Sequence, residues 1–275
     1  MNRRLASTLS GTIFAAALLF ASSASAATLA GDYQFQGTRA SSGPGPAVSA
    51  IGTNTFQTDT VMGSSRQVLA FPQHSGVQMT PSVGNGSVPY SVVATFRLDN
   101  VSSTLPTSYR RILDPSNTTA DAGFYMHQGM ADYYPNAIPE VTSPTVDFAN
   151  SVYATVAITS LPPTASLIYV NGNQVVTAPE TLPVVADTLR FFKDDATVSD
   201  EESAGAVSCI RVYSGALTNA EVAAIGASPT CSAPAATPAT PNTPATTTKK
   251  KCKKKHKKRS AETAKKKCKK HKKKR

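Results

Sequence analysis

Two copies of a basic sequence at the end of the chain carry the residue types of a zinc site. Cys252 and His256 lie in the first copy, Cys268 and His271 lie in the second, and the two cysteines are 16 positions apart. Two thiolates and two imidazoles are the ligand set of many tetrahedral zinc centres. The surrounding lysines oppose a second positive charge, however, and no apolar residue nearby could bury the ion. The alternative is oxidation, either to a Cys252–Cys268 disulfide or to disulfides with other molecules.

A second group of residues has the chemistry of a calcium site. Residues 194–202 contain five acidic side chains, of which Asp195, Asp200 and Glu202 could each give an oxygen ligand. Calcium takes six to eight oxygen ligands, so backbone carbonyls would have to complete the set. The same residues could form a solvated acidic loop, because clusters of one charge usually lie in water. The sequence allows a structural calcium ion, and the solvated loop stays open as the alternative.

The chemistry of a sugar-binding site is concentrated in residues 123–136. Sugars offer an apolar face and a rim of hydroxyl groups, so their sites combine exposed aromatic rings with hydrogen-bonding groups. The chain has no Trp, and the best substitutes here are Tyr125, His127, Tyr133, Tyr134 and Asn136. The first two share one face of a strand, and the adjacent tyrosines cannot both point inward in an extended segment. These five residues are the predicted ligand site, and packing in the core is the alternative.

Strands are the elements that must position these side chains. From Tyr90 to Leu98, apolar residues alternate with mostly polar ones, which predicts a strand with one face in the core and the other largely in water. The Asn171-Gly172 pair between two β-prone segments predicts a tight hairpin. Further short strands are predicted at 33–35, 68–71, 76–79, 123–128, 153–158, 167–170 and 207–213. So many short strands indicate a two-sheet sandwich.

One short helix is predicted after the last of these strands. Thr218 and Glu221 have the spacing of a capping box, and Gly226 is placed to end the helix. Cys209 precedes the helix and Cys231 follows it. In an oxidising compartment we expect these two cysteines to form a disulfide, with two free thiols as the alternative.

Two segments near the end of the β-rich region carry a family pattern. Residues 166–172 are Ser-Leu-Ile-Tyr-Val-Asn-Gly, and residues 205–222 are Gly-Ala-Val-Ser-Cys-Ile-Arg-Val-Tyr-Ser-Gly-Ala-Leu-Thr-Asn-Ala-Glu-Val. Together they resemble the final hairpin and strand of laminin-G-like domains, a group of the concanavalin A-like lectins and glucanases. Weaker matches at 32–35 and 153–157 extend the resemblance over about residues 30–228. The resemblance implies an all-β, two-sheet antiparallel jelly-roll sandwich with a short C-terminal helix, and glycan binding as the usual function.

The same resemblance directs attention to catalytic residues. Glucanases of this superfamily carry closely spaced carboxylates on one strand, because retaining glycosidases hold two carboxyl groups about 5 to 5.5 Å apart. Neither Glu-x-Asp-x-x-Glu nor Glu-x-Asp-x-Glu occurs here, and a Gly-x-Ser-x-Gly motif is absent. The absence of these motifs predicts a binding module rather than an enzyme.

The resemblance also bears on the calcium prediction. Sandwiches of this superfamily often hold a calcium ion, but where many relatives have an acidic pair in the last strand, this chain has Ser208 and Cys209. This departure weakens the prediction of calcium at residues 194–202.

The first residues have the pattern of a secretory signal peptide. Arg3 and Arg4 precede an apolar run at 13–21 that is too short to cross a bilayer, and an Ala-x-Ala sequence ends at Ala26. No later segment is long and apolar enough to predict a transmembrane anchor. We therefore expect residues 1–26 to be removed and the protein to be secreted, extracellular or associated with the cell envelope.

Charge divides the remainder of the chain. Residues 249–275 contain 18 of the 28 Lys and Arg residues, whereas residues 27–231 contain 8 basic and 16 acidic residues. Residues 232–248 are rich in Pro, Thr and Ala, and with nothing apolar to bury, this linker and the tail are expected to be disordered. A polycation often indicates nucleic acid, but export points instead to anionic polymers of a cell surface.

Together these features predict a secreted, envelope-associated module that binds carbohydrate or mediates adhesion. Its parts are a signal peptide (1–26), a laminin-G-like sandwich (27–231), a linker (232–248) and a Lys-rich tail (249–275) that attaches to anionic surface polymers. One alternative is a structural envelope protein that binds no sugar. A polysaccharide hydrolase is the least favoured of the three.

Overall fold

A computed structural model describes residues 26–101, 109–135, 138–195 and 200–234. Most of the predicted signal peptide and of the linker lie outside these ranges, and so does the tail with Cys252, His256, Cys268 and His271. The chain divides into two units, Met1–Ala235 and Ala236–Arg275, and every described residue belongs to the first. In the described part of the chain, no helix has both the length and the apolar character needed to cross a membrane.

The described residues form an antiparallel β-sandwich of two sheets, as predicted. The first sheet contains β1 (Thr28–Tyr33), β3 (Thr55–Val61), β4 (Ser64–Phe71), β6 (Tyr90–Leu98), β11 (Ala154–Leu161), β12 (Ala165–Val170), β13 (Asn173–Ala178) and β15 (Gly205–Ser214). These strands are paired in the order β13-β12-β11-β6-β15-β4-β3, and β1 also pairs with β15.

The second sheet carries the segment in which the sequence predicted a ligand site. It contains β2 (Ser49–Ile51), β5 (Gly76–Met79), β7 (Tyr109–Asp114), β8 (Gly123–His127), β9 (Met130–Tyr134), β10 (Val141–Thr142) and β14 (Leu189–Phe191). Their order is β10-β9-β8-β7-β14-β5-β2. The hydrophobic core lies between the sheets and joins side chains such as Phe96 and Ile158 of the first sheet to Phe124 and Phe191 of the second.

The outer face of the first sheet is covered around β6, so the prediction that one face of β6 is largely in water is wrong. Helix α1 (Asn219–Ile225) packs on this face, where Val222 and Ile225 join Val93 and Cys209 in a second apolar cluster. The chain beyond the helix adds a polar contact, because the Thr95 hydroxyl donates a 2.6 Å hydrogen bond to the carbonyl of Ser228. Sequence alternation alone could not show that a distant helix would return to this strand.

The local predictions around the helix and hairpin are confirmed. Asn171 and Gly172 have φ angles of 50° and 85°, the positive values that a two-residue hairpin turn needs. Thr218 is the N-cap of α1 and forms a capping box with Glu221. Cys209 of β15 and Cys231 form a disulfide, which ties the segment after the helix to a central strand of the first sheet.

We expect the double variant Cys209→Ala, Cys231→Ala to lose about 3 kcal/mol of unfolding free energy in the chain-entropy model. The reason is the loop that the bond closes, which has a sequence separation of 22 residues. Urea unfolding without reductant measures the difference. Reduction of the wild-type protein should bring its midpoint to that of the variant, and equal midpoints of oxidised wild type and variant would contradict a stabilising role.

Candidate ligand-binding face

The outer face of the second sheet carries most of the predicted ligand residues. Alternation along β8 and β9 sends Phe124, Met126 and Tyr133 into the core. Side chains at the intervening positions therefore point away from the core. Tyr125 and His127 of β8 and Tyr134 of β9 belong to this second set, so the structure places three of the five predicted residues on one face.

Four rings on this face, Tyr109, Tyr125, His127 and Tyr134, form what we call the tyrosine cluster. The ring of Tyr109 stacks on His127 with centroids 4.0 Å apart and meets Tyr134 edge-on at 5.6 Å. Tyr125 meets Tyr134 edge-on at 5.9 Å. Tyr125 is buried, whereas the other three rings are partly exposed. The cluster thus presents aromatic surface to solvent on a base of buried aromatic packing.

The other two predicted residues are not part of this face. Tyr133 is fully buried in the core, where its ring meets Phe124 edge-on at 5.4 Å. Its hydroxyl reaches toward Glu180, at 3.5 Å. Asn136 lies outside the described residues. Alternation therefore assigns the adjacent tyrosines to opposite faces, and Tyr134 is the exposed one.

Sequence reasoning missed Tyr109, which contacts all three other rings of the cluster. It is the first residue of β7, whose sequence Tyr-Arg-Arg-Ile-Leu-Asp has no simple alternation. A bulge between Arg111 and Leu113 shifts the register of β7 against β8 and breaks the period of two. The only signal available from sequence was a tyrosine close to predicted strands.

Carboxylates lie at one margin of the tyrosine cluster. Glu140 is exposed and accepts a hydrogen bond from the Tyr109 hydroxyl, and one of its oxygens lies 3.9 Å from His127 Nδ1. Asp132 is fully buried, and its Oδ1 accepts a 2.6 Å hydrogen bond from Thr142. Burial, together with the negative charge of Glu140, raises the pKa of Asp132 to about 7.

A buried arginine lies beneath the cluster. The Arg111 guanidinium sits 4.0 Å from the ring centre of Tyr125 and donates a 2.6 Å hydrogen bond from Nε to Asp194. Its Nη2 also lies 3.4 Å from an oxygen of Asp121. Gly123 permits this position, because a Cβ there would overlap Arg111 Nη1. The Arg111 guanidinium therefore links Tyr125, the buried ring of the tyrosine cluster, to the acidic side chains of Asp121 and Asp194.

The predicted calcium set of Asp195, Asp200 and Glu202 is not assembled. Asp195 lies 3.5 Å from Nη2 of Arg111. Glu202 forms ion pairs with His74 and Lys193, and Asp200 is exposed and lies 3.4 Å from the side-chain amide of Gln73. The oxygens that do lie within 4.8 Å of one another belong to Asp121, Asp194 and Asp195. Sequence could not show that an arginine from β7 would enter this acidic cluster and supply its positive charge.

Glu201 completes the acidic surroundings of Arg111. Burial raises the pKa of Glu201 to about 8, and the negative charges of Asp194 and Asp121 add to the effect. A hydrogen bond to Asp194 also favours the protonated form. Glu201 is therefore mostly protonated at neutral pH and adds no full negative charge to the cluster.

Stability should fall as the pH rises toward 8, because folded Glu201 holds a proton that the unfolded chain releases near the ordinary glutamate pKa of 4.5. The Glu201→Gln variant keeps a hydrogen-bond donor and does not titrate. We expect the variant to match wild type near pH 4.5 and to be more stable near pH 9, by on the order of 1 kcal/mol after solvent screening. Urea midpoints across this range measure the effect, and a constant difference between the two proteins would contradict it.

No protein-family model and no curated protein matches the chain, but solved structures do. One is domain 4 of AbnA, a GH43 extracellular arabinanase from Geobacillus stearothermophilus, determined in complex with arabinotriose. It has a TM-score of 0.53 and 16% identity, and the match covers 72% of this chain and 97% of that one. The two chains therefore share their fold over nearly the whole of that domain.

Two toxin binding domains are similar over about half of their length. The binding domain of Paraclostridial Mosquitocidal Protein 1 has a TM-score of 0.54 and 10% identity, and the match covers 71% of this chain and 51% of that one. The binding domain of botulinum neurotoxin serotype G has a TM-score of 0.53 and 12% identity, with 71% and 50% covered. At these identities the similarity shows the fold alone, which is a two-sheet β-sandwich.

Proposed function

We propose that this protein is a non-catalytic carbohydrate-binding or adhesion module that uses the tyrosine cluster to hold sugar. The observation that carries the proposal is the set of three partly exposed rings, Tyr109, His127 and Tyr134, beside the exposed carboxylate of Glu140. The rings offer apolar surface to the C–H face of a sugar, and the phenol, imidazole and carboxylate groups offer hydrogen bonds to its hydroxyls.

The fold comparisons support a sugar as the ligand. The arabinanase domain, which shares the fold over most of its length, was determined with arabinotriose. The toxin domains are binding domains by their description. The resemblance of residues 166–172 and 205–222 to laminin-G-like domains leads us to place the sandwich in that branch of the lectin-like folds. Function on a shared fold depends on the site, so the tyrosine cluster carries more weight than the comparisons.

Burial at the site favours binding over hydrolysis. A glycosidase needs one carboxylic acid that reaches the leaving-group oxygen. It also needs a second carboxylate side chain that acts on the sugar or on the attacking water. Asp132 and Glu140 are the carboxyl groups at the exposed margin of the cluster, but the side chain of Asp132 is fully buried and cannot reach a sugar on the surface. Because Asp132 cannot reach the sugar, Asp132 and Glu140 do not form the pair of carboxyl groups that acid catalysis requires.

The two ends of the chain complete the proposal. The pattern of residues 1–26 directs the protein out of the cytoplasm, and the tail at 249–275 attaches it to anionic polymers of a cell envelope. Nucleic acid is not a partner in this scheme, because the tail acts outside the cytoplasm. A structural envelope protein without sugar binding is the alternative that the next experiment separates.

Removal of the Tyr134 ring should weaken sugar binding about tenfold. The free energy that one stacked aromatic ring contributes corresponds to roughly that factor in affinity. The mature full-length chain and its Tyr134→Ala variant would be compared on an array of neutral glycans, so that the tail does not bind by charge. Affinity for the glycans that wild type selects is the measured quantity.

Phe56→Ala is the matched control, because Phe56 is an exposed aromatic residue on β3 of the first sheet with 36% of its surface accessible. The control should bind as wild type does. Equal losses in both variants would reject the tyrosine cluster as the site, and an array on which wild type selects no glycan would favour the structural alternative.

Deletion of residues 249–275 should release the protein from cells at physiological salt. The tail attracts anionic polymers by charge, so attachment of the full chain should also weaken steeply between low and high salt. Fractionation of cells that express each form measures the bound share. Equal cell association of both forms, unaffected by salt, would show that the tail is not the anchor.

A further inference from the structure

His127 of β8, Asp132 of β9 and Glu140, the residue before β10, meet at the outer face of the second sheet. Tyr125 pairs with Asp132 across the β8–β9 hairpin, and Asp132 pairs with Thr142 of β10. His127 is two residues beyond Tyr125 and Glu140 is two residues before Thr142, so both are diagonal neighbours of Asp132 in the sheet. One ligand atom from each of the three side chains lies within 4.8 Å of the other two.

Two of the ligand atoms in this group are buried without a hydrogen bond. Asp132 Oδ2 and His127 Nδ1 each expose less than 1 Å² and have no hydrogen-bond partner among the described residues. A buried carboxylate oxygen without a partner costs free energy, and native proteins usually satisfy such atoms with a donor, a water or an ion. These atoms therefore point to a ligand that the protein binds between them.

The surrounding charge favours a cation as that ligand. Two carboxyl groups are present, and the only basic group within ion-pair distance of either, among the residues that the structure describes, is His127 itself, 3.9 Å from Glu140. Arg111 directs its guanidinium to Asp121, Asp194 and Asp195. No lysine or arginine of the described chain thus neutralises this pair.

Neighbouring hydroxyl groups hold both carboxylates in place. Thr142 donates to Asp132 Oδ1, which leaves Oδ2 free to act as a ligand. The Tyr109 hydroxyl donates to Glu140 Oε2, and Oε1 is the oxygen nearest to His127. Metal-binding carboxylates commonly have such second hydrogen bonds, which orient the ligand atoms before the ion arrives.

We propose that His127, Asp132 and Glu140 form a binding site for a divalent transition-metal ion of the zinc type. One imidazole and two carboxylates are a three-ligand set that such ions accept, with a further position left for water or another ligand, whereas calcium prefers oxygen ligands alone. Zinc ligands lie about 3.4 Å apart when bonded at about 2.1 Å in a tetrahedral site. Binding therefore draws the three groups together, and Glu140 is expected to move most because its side chain is the most exposed of the three.

The test must separate this site from the cysteines and histidines of the tail. The protein is therefore prepared as the full chain with Cys252→Ser, His256→Gln, Cys268→Ser and His271→Gln. Zinc titration by calorimetry should give one site per chain in this background. Adding Glu140→Gln or His127→Gln should weaken zinc binding at least tenfold, and His74→Ala, the other histidine of the described residues, should leave it unchanged.

Two further readouts make the outcome decisive. Zinc should raise the melting temperature of the tail-substituted chain but not that of its Glu140→Gln variant, which should fold because Glu140 is exposed. Cobalt should give a visible spectrum without a thiolate charge-transfer band, since no sulfur takes part. Absence of zinc binding in the tail-substituted chain, equal affinity in the Glu140→Gln variant, or binding of calcium in preference to zinc would each overturn the proposal. Sugar binding is measured separately, so failure here leaves the proposed function standing.

Discussion

The buried guanidinium of Arg111 is the interaction on which the outer face of the second sheet depends. It draws β7, the segment around Asp121 and the loop at Asp194 to one point through hydrogen bonds, and the ring of Tyr125 lies on it. Removing one partner of such a buried ion pair costs about 3–5 kcal/mol of unfolding free energy, because the remaining charge is buried with neither water nor a counter-ion. The partly exposed rings of Tyr109 and Tyr134 pack against Tyr125. Their position therefore depends on where the acidic side chains hold the Arg111 guanidinium.

The two sheets differ in what covers their outer faces. On the first sheet, α1 and the disulfide-bonded segment that follows it bury polar residues such as Ser91 and Thr95 along with apolar ones. On the second sheet, rings and carboxylates reach solvent. Because α1 and the segment after it cover the central strands of the first sheet, the site that we propose lies on β7, β8 and β9 of the second sheet.

Sequence reasoning predicted the sandwich, the Asn171-Gly172 hairpin, the capped helix and the disulfide, because each has a local signal in residue type and spacing. It predicted less of the site. Alternation fixes that Tyr133 and Tyr134 face opposite ways, but which of the two faces inward depends on how the two sheets pack, and alternation alone does not show that. Sequence likewise could not show which partners the acidic residues at 194–202 have, since Arg111 reaches this cluster from 83 residues away.

The Cys209–Cys231 bond also bears on the mechanics of an attached protein. If the protein is held by residues beyond Cys231, tension along the chain passes through the bond into β15 before it can reach α1. Strand β15 pairs with β1, β4 and β6, so the pull is resisted by hydrogen bonds on both sides of the strand. The bond thus gives the pull a path into the sheet that bypasses the helix and its cap.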